Sequence, residues 1–293
     1  MLDVKRLVLL RDLAEYGTVT AVAEIHRVTP SAVSQQLRAL ETEAAATLLH
    51  RDGRNVRLTA AGHALVAGSE EVLAALERAH STVRALDDEV GGELRVGCFP
   101  SGLAPVAAPL VAALTGRHPR LRPQIVEAEP EEALPLLKRR DLDLALHYRY
   151  PHLGTPLPEG LTTEPLFDDP LLLAVPERLR DAAEDEGLTA LRREPWISTP
   201  APSACRDVMT HACHGAGFAP KIEHDYGDLR SSLALVATGL AVTILPGLLA
   251  TAPPEGVALI PLPGKKRTVE AVIRAGSERH PSIAAALAAL ARS

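Results

Sequence analysis

The stretch Val28-Thr29-Pro30-Ser31-Ala32-Val33-Ser34-Gln35-Gln36-Leu37-Arg38-Ala39-Leu40-Glu41 constrains this chain more than any other. Threonine is a good helix N-cap and proline fits the first helical position, so a helix begins at Pro30. From there Val33, Leu37 and Leu40 form an apolar stripe at i, i+4, i+7, and Ser31, Ser34, Gln35 and Arg38 share the opposite face. Amide and guanidinium groups pair bidentately with base edges, hydroxyls bind phosphate, and the DNA major groove admits a helix. Upstream, Leu7, Leu10 and Leu13 share one face of a helix over residues 3–15, and Thr18 caps a short helix to about Arg27. A short helix, a tight turn and a second helix form the DNA-reading helix-turn-helix. On pattern alone, a helical hairpin with a solvated polar face remains open.

The next segment favours DNA. Arg51, Arg54 and Arg57 recur every third residue around Gly53, with Val56 and Leu58 alternating against them. This reads as a small hairpin, a wing, presenting arginines to phosphate. From Thr59 a long helix is expected to about Asp88, with Leu65, Ser69, Val72, Leu76, Ala79, Val83, Leu86 and Val90 spaced as a heptad seam. Nothing in the amino-terminal segment partners a seam of this length, so a second copy of the helix is its natural partner; a seam of small and medium residues also fits packing on its own domain. Gly91-Gly92 ends the helix. The net charge of -6 is unevenly spread: residues 1–58 balance to +1, residues 59–92 to -4, and the remainder to -3. Phosphate is therefore approached through a local patch.

After Glu93 the pattern alternates strand and helix. Strands are expected at 94–98, 122–128, 143–147, 170–175, 222–226 and 241–245, and helices at 104–118, 131–140, 203–216 and 229–238. Such alternation implies parallel sheets with ligands at the carboxyl ends of strands. Pro100-Ser101-Gly102 follows the first strand and opens a helix, offering a hydroxyl and free N–H groups to an anion. His147, Tyr148 and Arg149 follow the third strand and should sit on the same rim. With Arg149 and helix N-termini nearby, a carboxylate-bearing ligand is expected.

Other chemistry is excluded residue by residue. There is no Gly-x-Ser-x-Gly and no Walker loop, and Gly215-Ala216-Gly217 meets Pro220 where a dinucleotide loop needs glycine. No catalytic site and no cofactor are expected. Cys205, His211, Cys213 and His214 point all round one helix, so one ion cannot collect them and no metal is expected. The stretch of uncharged residues 231–254 is cut by Gly239 and Pro246 into helix, strand and turn, so no membrane span is expected. The start, with Asp3, Lys5 and Arg6 before a short apolar run, has no signal-peptide core, and three cysteines suit a reducing compartment. A cytoplasmic protein is the expectation.

The segment 28–41, followed by Arg51, Arg54-Asn55-Val56-Arg57-Leu58-Thr59 and Gly62, closely resembles the LysR-type transcriptional regulators. Gly239-Leu240-Ala241-Val242-Thr243-Ile244-Leu245-Pro246 is similar to the family's late Gly-to-Pro segment. The resemblance implies an α-helical winged helix-turn-helix DNA-binding domain (1–58), a linker helix that dimerises (59–90) and an α/β effector domain (93–293). The last would comprise two subdomains like periplasmic binding proteins, the first about 93–163 and 270–293, the second about 164–269. It implies double-stranded operator DNA, with an inverted repeat, read through Thr18, Thr29, Pro30, Ser31, Ser34, Gln35, Arg38, Arg51, Arg54 and Arg57. It also implies a small-molecule effector in the cleft, with Thr199 and Ser203 facing Ser101, and assembly as a dimer or tetramer. The sequence departs from the family at packing positions, notably His26 where leucine is usual. Peroxide-sensing members carry a cysteine pair in a similar region. Here Cys205 and Cys213 lie too far apart along a helix for a disulfide, and packed thiols are the simpler reading, although Cys205 near a helix start invites a lowered pKa.

Overall fold

The computed structural model describes residues 1–52, 55–86, 89–151, 153–154 and 156–292, without the side chains of Arg51, Asp52 and Asn55. Two compact units result. One comprises Met1–Leu86 with Pro158–Leu161 and Arg274–His280; the other comprises Asp87–Leu157, Thr162–Ile273 and Pro281–Ser293.

The first unit opens with α1 (Val4–Tyr16), α2 (Val19–Ile25) and α3 (Pro30–Ala44). Each start is fixed locally. Asp3 Oδ1 accepts from the Lys5 and Arg6 amides, Thr18 Oγ1 from Ala21 N at 3.1 Å, and Thr29 Oγ1 from Ala32 N at 3.2 Å. Leu7, Leu10, Leu13, Val22, Val33, Leu37 and Leu40 close one core. Strands β1 (Leu49–Asp52) and β2 (Asn55–Leu58) pair antiparallel, with His50 opposite Arg57. The loop before them is anchored by Glu41 Oε1, which accepts from the Leu48 and Leu49 amides at 2.9 and 3.1 Å.

Thr59 then caps α4 (Ala60–Arg84), accepting from Gly62 N at 3.0 Å. Gly62 is required here, because a Cβ would stand 2.3 Å from the Leu48 carbonyl oxygen. The helix ends at Arg84, short of the expected Asp88. One face buries polar groups within its own unit: Glu77 Oε1 pairs with Arg274 Nε at 3.2 Å, and Ser81 donates to the Gly276 carbonyl. Val72, Leu76, Val83 and Leu86 stay exposed, at 42, 44, 64 and 80%. The expected seam is thus open between Val72 and Leu86. Ser69 is buried, Leu65 packs on the helix-turn-helix core, and Val90 packs into the second unit's core.

The second unit contains β3 (Gly91–Cys98), α5 (Ala108–Arg117), β4 (Arg120–Glu127), α6 (Pro130–Lys138), β5 (Leu144–Arg149), β6 (Leu161–Pro176) and α7 (Arg180–Glu186). Then come β7 (Pro195–Ser198), α8 (Ala204–Gly215), β8 (Lys221–Asp225), α9 (Leu229–Ala237), β9 (Thr243–Pro246), β10 (Val257–Arg274) and α10 (Pro281–Leu290). Among the described residues, one sheet runs β4-β3-β5-β10-β6-β9 and a second pairs β7 with β8. The expectation of parallel sheets is corrected. β3 is parallel to β4 and β5, and β7 to β8, but β10 runs antiparallel to β5, and β6 to β9. Two long strands carry the chain into the second half and back, so the returning strand must oppose the strands it joins. No helix among the described residues is long and apolar enough to cross a membrane; residues 231–254 form most of α9, then β9 and turns.

Candidate DNA surface and effector site

On α3 the apolar stripe Val33, Leu37 and Leu40 is buried, leaving Ser31, Gln35 and Arg38 exposed and Ser34 partly so. Thr29 Oγ1 also lies 2.9 Å from Ser31 Oγ, linking the cap to the first exposed hydroxyl. Arg57 is exposed on β2. The expected phosphate contacts of Arg51 and Arg54 lie outside the described residues. A polar lock joins α1 to the end of α2: Asp12 Oδ1 accepts from Arg11 Nε and Nη2, and Asp12 Oδ2 lies 2.6 Å from His26 Nε2. His26 therefore ties the end of α2 to α1, where leucine would leave a buried carboxylate short of a partner.

In the second unit a buried guanidinium organises the ends of β3 and β5. Arg267, on β10, is 1% exposed. Its Nε donates to Asp169 Oδ2 at 2.9 Å and its Nη2 to Ser101 Oγ at 2.8 Å. The Phe99 and Tyr148 rings lie on it, 4.9 and 4.5 Å from the guanidinium carbon. Burial raises the Asp169 carboxyl above its ordinary range, against Arg267 and the Leu248 and Gly247 amides, which lower it. Ser101 begins no regular α-helix. Residues Pro100–Gly102 form a 3-10 turn and Leu103–Ala107 a wider π turn before α5. Gly102 is buried so tightly that a Cβ would meet the Phe99 ring at 2.7 Å. Pro100 is exposed. The Ser101 hydroxyl expected to face an anion already accepts from Arg267, keeping only its own proton to donate, and the regular helix start expected there is corrected to the 3-10 turn.

Side chains from the unit's second half meet this cluster. Tyr148 Oη donates to Glu129 Oε2 at 2.9 Å and lies 3.8 Å from Cys205 Sγ, which is 3.5 Å from Tyr150 Oη. Crowding by protein raises the Glu129 carboxyl above its usual range, partly offset by the Tyr148 hydrogen bond, although the residue keeps an exposed surface. Cys205 stands in the first turn of α8, whose N-cap is Ser203. The Ser203 hydroxyl leaves the first-turn amides uncapped and lies instead 2.7 Å from Thr199 Oγ1.

The comparisons agree with this architecture from both ends. Residues 4–63 match the family model described as bacterial regulatory helix-turn-helix protein, lysR family. Residues 87–293 match the LysR substrate binding domain. This chain belongs to the LysR family. Its members are transcriptional regulators rather than enzymes, and this one is a DNA-binding transcriptional regulator with an effector-binding domain. It is 28% identical over 289 residues to the transcriptional dual regulator GltC of Bacillus subtilis, covering 96% of this chain and 94% of that one. It is 32% identical to the regulator ShiR of Corynebacterium glutamicum, covering 82% and 80%. The fold matches full-length CbnR complexed with its target DNA at a TM-score of 0.56, with 23% identity and 99% of each chain covered.

For a LysR-type chain the expected effector residues divide. The structure brings Ser101, Tyr148, Thr199 and Ser203 to the ends of the elements around Arg267 and α8. It does not bring His147 and Arg149 there. Neighbouring residues of a strand face opposite sides, so they lie across the sheet from Tyr148. Both pair with buried Glu270, His147 Nδ1 at 3.1 Å from Oε1 and Arg149 Nε at 3.1 Å from Oε2. Burial alone would raise the Glu270 carboxyl; these partners outweigh it and hold it below its usual range. The lowered pKa considered for Cys205 is also corrected: burial raises it, leaving a neutral thiol rather than a nucleophile. Cys98 and Cys213 are likewise pushed up by burial to about 12.

Sequence reasoning missed Arg267, Asp169 and Glu129. One signal was present. On β10, Arg267 shares a face with Val269, Ala271 and Ile273, an apolar register in which arginine is out of place.

Proposed function

We propose that this regulator's operator affinity is set by a small carboxylate-bearing effector seated between the two halves of its C-terminal unit. The observation that carries the reading is the Tyr148 phenol, with Glu129 of the first half at 2.9 Å and Cys205 at the start of α8 at 3.8 Å. A ligand lodged beside that oxygen touches both halves and biases their arrangement. The uncapped first turn of α8, with the Thr199 and Ser203 hydroxyls, supplies the donors a carboxylate needs.

Operator DNA, with two half-sites in inverted repeat, is read by Ser31, Ser34, Gln35 and Arg38 from α3. Thr18, Thr29, Pro30, Arg51, Arg54 and Arg57 position the backbone. The exposed α4 face Val72–Val83, with Leu86 just beyond the helix, pairs with a second copy, giving a dimer or, by further pairing, a tetramer. The protein works in the cytoplasm, where chromosomal DNA is reached.

The test is an effector titration of operator binding with a panel of small carboxylates, wild type against Thr199→Val. Each midpoint is read relative to that variant's own uninduced affinity. The substitution removes a donor while keeping volume, and a midpoint raised by roughly tenfold is expected. Coincident curves place the effector elsewhere.

A further inference from the structure

The first-half wall of this cleft is mixed in charge, and its two ions are placed differently. Arg267 is fully committed: Asp169, Ser101 and two aromatic faces surround it, at 1% exposure. Its charge is balanced before any ligand arrives. Glu129 feels Arg267 only at a distance and forms no ion pair among the described residues. It caps the start of α6, keeps an exposed surface, and spends Oε2 on the neutral Tyr148 hydroxyl. A carboxylate offers about four acceptor positions, so capacity remains for a donor from outside. Its acidic neighbours Glu131 and Glu132 oppose its ionisation, and Arg267 favours it.

We propose that the effector carries a cationic ammonium group and that Glu129 is the residue that reads it. This rests on the cleft reading above. A ligand bearing only a carboxylate could use the donors at α8, but it would bring a second anion near Glu129 and supply no cation to it. With an ammonium group, each charge finds its complement: the cation at Glu129, the carboxylate at the first turn of α8. One phenolic oxygen touches both ends, Glu129 Oε2 at 2.9 Å and Cys205 Sγ at 3.8 Å. The two binding groups of the ligand therefore stand close together, as the ammonium and carboxylate of an α-amino acid do. Tyr148, buried between Phe99, Arg267 and Tyr150, is held rigid by those rings and fixes the spacing.

The experiment uses the full chain and trios of one carbon skeleton: each standard L-amino acid, the acid lacking its amino group, and the amine lacking its carboxylate. Binding is measured by thermal shift and calorimetry. At least one amino acid is expected to bind about tenfold or more tighter than its deaminated acid. Glu129→Gln still accepts from Tyr148 but lacks the charge, and should erase that gap; Glu129→Asp, which keeps the charge, should retain it. A deaminated acid binding as tightly as its amino acid overturns this proposal while the carboxylate cleft stands. An amine binding as tightly as the amino acid supports Glu129 and overturns the carboxylate reading. No binding from any trio overturns the proposal, as does a gap unchanged in Glu129→Gln.

Discussion

Asp169 and Arg267 form a buried ion pair in the regulatory unit, and breaking it can be worked through quantitatively. Both side chains are almost sealed from water, at 1 and 2% exposure, with Nε and Oδ2 2.9 Å apart. In Asp169→Ala the guanidinium keeps Ser101 and two aromatic faces but loses its counter-charge. Breaking one partner of a buried pair costs about 3–5 kcal/mol. The Leu248 amide, which donates to Asp169 Oδ1 at 3.0 Å, loses its acceptor as well, adding about 1 kcal/mol. A total loss of about 4–6 kcal/mol corresponds to a drop of roughly 8–24 °C in melting temperature for a unit of this size. Trp196, the only tryptophan, is buried in the same unit, so its fluorescence follows that unit's unfolding. The double variant Asp169→Leu/Arg267→Met removes both charges, and apolar replacement of buried pairs is often neutral or stabilising, so it should recover most of the loss. A single variant within about 1 kcal/mol of wild type, or a double variant as unstable as the single, would refute the view that an unpaired buried charge is the dominant effect.

Other consequences are equally direct. Gln35→Ala should cost about 1–3 kcal/mol on the operator and broaden base preference. Arg57→Ala should weaken all sequences alike and flatten the salt slope by about 1; anisotropy titrations at several salt concentrations separate the two, and equal loss of specificity from both contradicts the assignment. Leu76→Asp places a charge in the open α4 face and should abolish dimerisation; sedimentation velocity of the full chain reads this, and an unchanged dimer removes that face from the interface. Cys213, raised from 9.0 to about 12, stabilises the fold fully below pH 9 and loses that contribution as pH climbs towards 12. Ellman's reagent should accordingly label Cys213 at pH 8 only upon denaturation, and Cys213→Ala should flatten the fall in stability above pH 9; rapid native labelling contradicts its burial.

The helix-turn-helix was legible from the chain because its determinants are local. A threonine before a helix finds the amide three residues on, and Val33, Leu37 and Leu40 meet the core by helical period alone. The wing hairpin follows from the same short-range spacing, whereas tertiary packing alone decided that Leu65 and Ser69 are covered while Val72, Leu76 and Val83 stay exposed. The cluster around Arg267 had no such signature. Arg267 meets Asp169 across 98 residues and Ser101 across 166, and each reads locally as an ordinary polar residue. Lys265-Lys266-Arg267 even resembles a solvated basic run. The side of the sheet was equally hidden. Alternation separates His147 and Arg149 from Tyr148, but which face meets α8 depends on how two long crossover strands thread the halves together. Only that threading decided that Arg267 would be buried and Glu129 left exposed, because burial is a property of the neighbours a residue acquires rather than of its own type.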